Sequence, residues 1–215
     1  MITASRKPRL RGCPPNAQWL RRVHPDVAEV LQGPPVSLRR IRSVEALGQA
    51  RWLGWLNDRL VRRHLESCDR WTPARLQAWL KGLPLGTRLY QICFGDRPVG
   101  TLKLEGVGPG LWANVGLMVG DRSVWGRGIG TQALLGAVGI ARRARCRGLW
   151  AGIREANGAA WKAFQRAGFE EVVRKSGMRP HLLRLRGRPL PAPLLAAVQA
   201  WPPAPPRVAV LRRFR

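Results

Sequence analysis

The sequence predicts a mixed α/β fold of the α+β type, with helices flanking a central, mainly antiparallel sheet. Two observations support this prediction. Between residues 89 and 119, three segments with strand periodicity follow one another across short turns, which is typical of an antiparallel meander. On both sides of this block, apolar residues recur at intervals of three and four, which is the period of a helix.

One strand and two helices are predicted before the meander. The strand covers residues 36–41. The first helix ends in Trp55-Leu-Asn-Asp58, and its small and apolar residues recur at helical spacing: Ala46, Leu47, Ala50, Leu53, Gly54 and Leu56. Thr72-Pro73 opens the second helix, because a threonine hydroxyl accepts hydrogen bonds from free backbone N–H groups and proline is tolerated in a first turn.

The remaining elements follow the same two periodicities. The meander strands are predicted at 89–94, 99–104 and 112–119. After them we expect a helix, a strand, a helix and two strands, at 131–145, 149–154, 159–167, 170–175 and 181–186. This arrangement limits the folded domain to residues 36–187. Residues 1–35 are predicted to be a basic extension, and residues 188–215 a mostly irregular tail rich in proline and arginine.

The net charge of +26 predicts an anionic partner. A phosphorylated small molecule such as coenzyme A, a nucleic acid and an anionic membrane surface all fit this charge, and so does a simple bias of codon composition. No apolar run reaches the roughly 18 residues of a membrane span. We therefore expect a soluble, cytoplasmic protein. The four cysteines are isolated, so neither a metal site nor a disulfide is predicted.

A glycine-rich loop separates the third meander strand from the next helix. Its residues are Trp125, Gly126, Arg127, Gly128, Ile129, Gly130 and Thr131. Glycines let a backbone approach a diphosphate closely, and the N–H groups at a helix N-terminus favour negative charge. The spacing excludes a Walker loop and a dinucleotide-binding loop. The loop alone is also compatible with a tight turn.

This loop resembles the signature of the GNAT acetyltransferases, Q/R-x-x-G-x-G/A, at the same junction of strand and helix. Trp125 replaces the usual first residue, which makes the loop similar to W-G-K-G-x-G-T in the Rim-type and amino-sugar branch. A second segment, Asn157-x-x-Ala160-x-x-x-Phe164-x-x-x-Gly168-Phe169, resembles a downstream motif of the same family. The resemblance covers residues 36–187 and implies a GNAT-like fold.

The resemblance implies acetyl-CoA as co-substrate, without a metal. The glycine loop would bind its pyrophosphate, and Asn157 and Phe164 would lie beside the cofactor. Leu117, Met118 and Val119 would pair with the pantetheine amides. Two simpler roles remain open: Asn157 as a helix N-cap, and Phe164 as a core residue. We expect Gly128→Val or Gly130→Val to fill the space that the pyrophosphate needs.

The catalytic groups are less well defined. Many relatives carry a tyrosine as general acid where this chain has Phe164, and the only tyrosine is Tyr90 on an earlier strand. Asn114 stands where relatives often have an acid, so it can only orient water or substrate. The candidate bases are Asp58, His64, Glu66 and Glu105. Asp58 is favoured because Trp55-Leu-Asn-Asp58 resembles a segment of amino-sugar acetyltransferases, although a solvated helix end is an equal alternative.

The predicted function is acetyl transfer to a primary amine of a small molecule by direct attack. The positive charge favours an acidic acceptor, such as a nucleotide-linked amino sugar. A Rim-type acetyltransferase of ribosomal protein N-termini is the first alternative. A nucleic-acid-binding protein on a degenerate acetyltransferase fold is the second. The acceptor and the oligomeric state do not follow from the sequence.

Overall fold

A central sheet organises the described part of the chain, which in this computed structural model comprises residues 36–42, 49–65, 69–176, 179–182, 191–200 and 207–214. Eight strands of these residues join in the order β1-β2-β3-β4-β5-β8-β6-β7. Their bounds are β1 Val36–Ile41, β2 Arg88–Phe94, β3 Arg97–Glu105, β4 Trp112–Val119, β5 Gly148–Arg154, β6 Glu170–Ser176, β7 Arg179–Leu182 and β8 Arg207–Arg213. All neighbours are antiparallel except β4 and β5. The predicted mixed, mainly antiparallel sheet is confirmed.

Helices cover both faces of this sheet. Within the described residues they are α1 Gln49–Asn57, α2 Arg59–Arg62, α3 Pro73–Lys81, α4 Ile129–Arg143, α5 Gly158–Arg166 and α6 Ala192–Gln199. The larger apolar cluster joins α4 and α5 to one face, around Leu134 and Leu149. A second cluster joins α1 and α3 to the other face, around Trp52, Leu76 and Met118. Adjacent residues of β4 serve both clusters, because side chains alternate along a strand.

Local sequence signals set most of these boundaries. β1 and β4 have the predicted bounds. The Thr72 hydroxyl accepts a hydrogen bond from the Arg75 N–H at 3.2 Å, so α3 begins where the Thr-Pro pair predicts. The other predicted strands and helices lie within about two residues of the observed ones, with two exceptions. Residues 46–48, in the predicted first helix, and residues 183–186, in the predicted last strand, lie outside the described residues.

The expectation of an irregular tail is wrong for two segments. Residues 192–199 form α6, and residues 207–213 form β8. β8 is an interior strand between β5 and β6, where Val210 and Leu211 are almost completely buried. The flanking prolines and arginines hide this strand in the sequence, although its Val-Ala-Val-Leu core has strong strand propensity. The predicted extension at 1–35 lies outside the described residues.

Candidate active site

The sheet opens between β4 and β5. These parallel strands pair over three positions only, 112–114 with 148–150. β3 continues to pair with β4 as far as Val119, and β8 continues to pair with β5 as far as Arg154. Beyond Asn114 and Trp150, β4 and β5 therefore separate, and each turns one backbone edge toward the opening.

Alternate residues of β4 point their backbone groups into this opening. The Gly120 N–H bonds the Val99 carbonyl on the β3 side at 2.9 Å. Because backbone direction alternates residue by residue along a strand, Val115, Leu117 and Val119 direct their N–H and C=O groups away from β3. Val115 adjoins the last pair of β4 with β5, so the N–H groups of Leu117 and Val119 are the ones to which an extended ligand with amide groups can bond.

The glycine loop lies at the open end of this β4 edge. Gly126 and Gly128 have φ angles of +79° and +73°, which favour glycine. Gly128 is the N-cap of α4, and no side chain caps that helix. The first N–H groups of α4, on Ile129, Gly130 and Thr131, therefore lack helical acceptors and suit an anion. The exposed Arg127 adds a positive charge beside them.

Trp125 attaches the glycine loop to β4. Its indole Nε1–H donates to the Val119 carbonyl at 2.8 Å, although the residue is 41% exposed. This bond fixes the loop against the last carbonyl of the β4 edge. The tryptophan that replaces the family's usual glutamine or arginine thus has a structural role of its own.

Several predicted contacts need correction. A Cβ atom at Gly130 would lie 3.4 Å from Leu117 Cδ2 and 3.6 Å from Ala163 Cβ. Gly130 therefore faces β4 and α5, and a valine there would disturb packing instead of filling a pyrophosphate site.

The Met118 side chain belongs to the core cluster under α1 and α3, and its backbone points to β3. Met118 is thus not placed to pair with a pantetheine chain.

Ile129 and Thr131 are each 2% exposed over the whole residue. Their side chains therefore do not contact the predicted anion, and any contribution that they make to its site comes from their backbone N–H groups. Their side chains instead hold the first turn of α4 in the core. This division explains why a loop that binds through its backbone can still carry apolar residues.

Asn157 lies across the opening, directly after β5, and caps α5. Its Oδ1 accepts a hydrogen bond from the Ala160 N–H at 3.1 Å. The helix-capping role left open by the sequence is therefore present. The cap does not use the side-chain NH₂ group, which remains suitable as a donor to a ligand carbonyl. Both roles are compatible in this geometry.

Phe164 is a core residue. It is 4% exposed, and its ring packs edge to face on Phe169 with centroids 4.9 Å apart. Phe164 is therefore not placed to contact the cofactor as predicted, because its ring is enclosed in the apolar cluster under α4 and α5. Trp161, on the same helix, is only partly buried against that cluster.

The segment 55–58 attaches the helical layer to the end of β4. A Cβ atom on Gly120 would overlap Trp55, so the tryptophan lies directly on the backbone that follows β4. Asn57 exchanges two hydrogen bonds with the backbone of Trp71, at 2.8 and 2.9 Å. Asp58 caps α2 through the N–H groups of its second and third residues.

Asp58 is a poor candidate for the general base. Burial by itself raises the pKa of Asp58, but the N–H groups of Leu60 and Val61 and the guanidinium of Arg122 together lower it below its usual value. Arg122 lies 3.4 Å from the carboxylate. A carboxylate with a lowered pKa is a weaker proton acceptor. We therefore assign Asp58 to helix capping and to the link with the loop that follows β4.

A substitution tests this assignment. Asp58→Asn keeps the cap, because asparagine caps helices about as well as aspartate. We expect kcat/KM for acetyl transfer to remain close to that of the wild-type protein, whereas loss of a general base would lower it by about 100-fold or more. Asp58→Ala, which removes the cap, should lower the free energy of unfolding by about 1 kcal/mol in urea titrations. A large loss of turnover in stably folded Asp58→Asn would restore Asp58 as the base.

The other candidate bases lie in different places. Glu66 is outside the described residues. His64 Nε2 accepts a hydrogen bond from Arg63 Nε at 2.9 Å. Burial lowers the pKa of His64, and the charges of Arg63 and Arg154 lower it further. Glu105 is directly opposite Asn114 in the pairing of β3 with β4, at the closed end of the opening. Register therefore brings Glu105 and Asn114 together.

Sequence reasoning missed Lys103. Its Nζ lies 2.6 Å from Glu105 Oε1, and the two residues are two positions apart on β3. The spacing Lys-x-Glu at the end of a predicted strand was the available signal, because residues i and i+2 of a strand share a face.

Among the described residues, no group of three or more histidine, cysteine, aspartate or glutamate side chains is arranged to hold a metal ion. Over the same residues, none of the helices has the length and apolar character that a membrane crossing requires.

Comparisons with known proteins find matches for both the sequence and the fold. The sequence model of the acetyltransferase (GNAT) domain matches residues 36–170, more than half of the chain. No curated protein sequence matches significantly. Among solved structures, a domain from Methanocaldococcus jannaschii superposes with a TM-score of 0.61 at 14% identity, covering 83% of this chain and 98% of its own.

Two similar structures contain the cofactor. AAC(6')-Ib in complex with acetyl-CoA and an aminoglycoside has a TM-score of 0.60 at 17% identity, covering 83% of this chain and 93% of its own. RimL, a ribosomal alpha-N-protein acetyltransferase, in complex with coenzyme A, has a TM-score of 0.60 at 17% identity, covering 84% and 94%. At sequence identities this low, the similarity shows a shared fold alone.

Proposed function

Because the chain belongs to the GNAT acetyltransferase family, we propose that it transfers the acetyl group of acetyl-CoA to a primary amine of an acidic small molecule. The observation that carries the proposal is the opening between β4 and β5, which has a free backbone edge along one side and an uncapped helix N-terminus at its end. A nucleotide-linked amino sugar is the acceptor class to test first.

The residues of the opening fit acetyl-CoA in three ways. The first N–H groups of α4 and the side chain of Arg127 suit the charge of the pyrophosphate. The Leu117 and Val119 N–H groups can bond the amide carbonyls of an extended pantetheine arm. Asn157 can donate its NH₂ group from the β5 side. With the pyrophosphate at the open end, the acetyl group lies toward the closed end.

The β4 edge also supplies the electrostatic part of catalysis. Acetyl-CoA provides the acetyl thioester: the acceptor nitrogen forms a C–N bond to the carbonyl carbon, the C–S bond breaks, and the thiolate leaves while the amine loses a proton. A backbone N–H of β4 that points into the opening can stabilise negative charge on the carbonyl oxygen in the transition state. The strands hold both reactants in a fixed orientation.

The acidic nature of the acceptor is supported by charge. The chain carries +26, and Arg122, Arg127 and Arg154 lie around the opening. Such a field concentrates anions and repels polyamines and lysine-rich peptides. A protein N-terminus, the acceptor of a Rim-type enzyme, remains one outcome of the test.

The test is thiol release from acetyl-CoA with a panel of amines. We expect turnover with amines that carry an acidic group, including UDP-glucosamine, and little with spermidine or basic peptides. Binding of acetyl-CoA is measured in parallel by calorimetry at low and high salt, with duplex DNA as competitor. Tight DNA binding without thiol release would overturn the proposal and favour a nucleic-acid-binding function.

A further inference from the structure

An ion pair stands on the side of the sheet that α1 and α3 cover. Lys103 and Glu105 are residues i and i+2 of β3, so their side chains share this face. Lys103 Nζ lies 2.6 Å from Glu105 Oε1, and their side chains are 26% and 25% exposed. Both charged groups are thus held together while part of each stays open to a ligand.

The pair lies beside the closed end of the opening. Glu105 is opposite Asn114, the last residue of β4 that pairs with β5. Lys103 is opposite Gly116, just beyond that point. Its Cε and Cβ would lie 3.5 and 3.7 Å from a Cβ atom on Gly116, so the lysine chain runs across the bare glycine backbone. This is the end of the opening where the acetyl group is expected.

Aromatic packing fixes the lysine. Its Nζ lies 5.6 Å from the centroid of the Trp79 ring, within the range of a cation–π contact. Trp79 is itself held by edge-to-face contacts with Trp52 and Trp71, at 5.8 and 6.2 Å. The position of the ammonium is therefore set by the core and not only by its counter-ion.

Glu105 is the only acidic residue of strands β1 to β5. A cationic amine that took Glu105 as its partner would leave Lys103 without a counter-ion and beside a second positive charge, which is unfavourable in a partly buried site. An acceptor that carries an anionic group next to its amine avoids this cost. The ammonium group of such an acceptor pairs with Glu105, and its anionic group pairs with Lys103.

We propose that Lys103 and Glu105 bind the acceptor as a zwitterion, with Glu105 holding its ammonium group and Lys103 holding a carboxylate or phosphate on a neighbouring carbon. The proposal rests on the acetyltransferase function above and narrows its substrate class. Glu105 then takes one proton from the ammonium, and the freed amine forms the C–N bond as the C–S bond breaks. The nitrogen loses its second proton to the departing thiolate through solvent, which gives the amide and the thiol, and Glu105 releases its proton to water.

The experiment compares two pairs of acceptors that differ only in the anionic group. Phenylalanine against phenylalanine amide tests the carboxylate, and glucosamine 1-phosphate against glucosamine tests the phosphate. Thiol release is measured with the wild-type protein and with Lys103→Met, Glu105→Gln and Lys81→Met. Methionine keeps the apolar stem that packs on Gly116 and Trp79. Lys81→Met removes the same charge at the exposed end of α3 and is the matched control.

We expect the wild-type protein to favour the anionic member of at least one pair by about 10-fold or more in kcat/KM, as one charge-assisted contact provides. Lys103→Met should lower kcat/KM for the anionic member by about 10-fold or more and so erase this preference, while Lys81→Met retains the preference. Glu105→Gln should lower kcat for both members by about 100-fold or more.

Equal turnover within both pairs, or a preference that survives in Lys103→Met, would overturn the proposal. So would acetyl-CoA binding without turnover of any of the four acceptors, which leaves the acetyltransferase function in place. Absence of acetyl-CoA binding by the wild-type protein would instead overturn the proposed function itself.

Discussion

Gly128→Val should weaken the binding of acetyl-CoA by about 100-fold or more. Gly128 has a φ angle of +73° at the N-cap of α4. A β-branched residue rarely adopts this conformation, so the backbone must shift. The shift turns away the N–H groups that we propose face the pyrophosphate, and losing two charge-assisted hydrogen bonds raises the dissociation constant by about 100-fold or more. Isothermal titration calorimetry with acetyl-CoA measures this dissociation constant.

Gly86→Val is the matched control for this experiment. Gly86 has a φ angle of +81° with open space around it, and it lies in the turn before β2, which β3 separates from β4. Both substitutions impose the same kind of strain, which costs about 1–3 kcal/mol of stability. Gly86→Val should nevertheless bind acetyl-CoA as the wild-type protein does. Normal binding of acetyl-CoA by folded Gly128→Val protein would show that the glycine loop is not part of the cofactor site.

Leu117→Pro should sharply reduce acetyl transfer while leaving the sheet intact. Proline removes the Leu117 N–H, which points into the opening and not toward β3, and proline is tolerated in a strand where its missing N–H faces outward. Leu117→Ala retains the N–H and also loses the leucine side chain. If this N–H serves the cofactor or the carbonyl oxygen, kcat/KM of the proline variant should be about 100-fold below that of the alanine variant.

Circular dichroism and urea titration show whether both Leu117 variants remain folded. One residue further on, Met118→Pro should behave differently, because the Met118 N–H points toward β3 and its loss removes a bond of the sheet. We expect Met118→Pro to unfold at a lower urea concentration than Leu117→Pro. Equal turnover by Leu117→Pro and Leu117→Ala would contradict the assigned direction of the β4 backbone.

The parts of the structure that depend on local patterns follow from the sequence. β4 and the start of α3 carry their signals within a few neighbouring residues, and both are observed as predicted. β8 could not be found in this way, because its place between β5 and β6 depends on partners more than 30 residues away. Proline-rich flanks resemble irregular chain whether or not a strand lies between them.

In the candidate site, too, the features that depend on neighbouring residues follow from the sequence, and those that depend on packing do not. The φ angles of Gly126 and Gly128 agree with a glycine loop recognised from its sequence. The direction of Gly130 toward Leu117 and Ala163 depends on how α4 packs against β4 and α5. The role of Asp58 depends on Arg122, which is 64 residues away along the chain. Spacing alone contains neither fact, so the sequence predicts the conformation of the glycine loop better than the surroundings of the catalytic candidates.

Amide hydrogen exchange along β4 and the first turn of α4, measured by NMR with and without coenzyme A, tests the central claim most directly. We predict that coenzyme A slows exchange at Leu117, Val119, Ile129 and Gly130, whose N–H groups face the opening or lack helical acceptors. Gly116 and Met118, which bond to β3, should be slow in both states. Unchanged exchange at the first four amides, with coenzyme A bound, would show that the cofactor does not occupy the opening between β4 and β5.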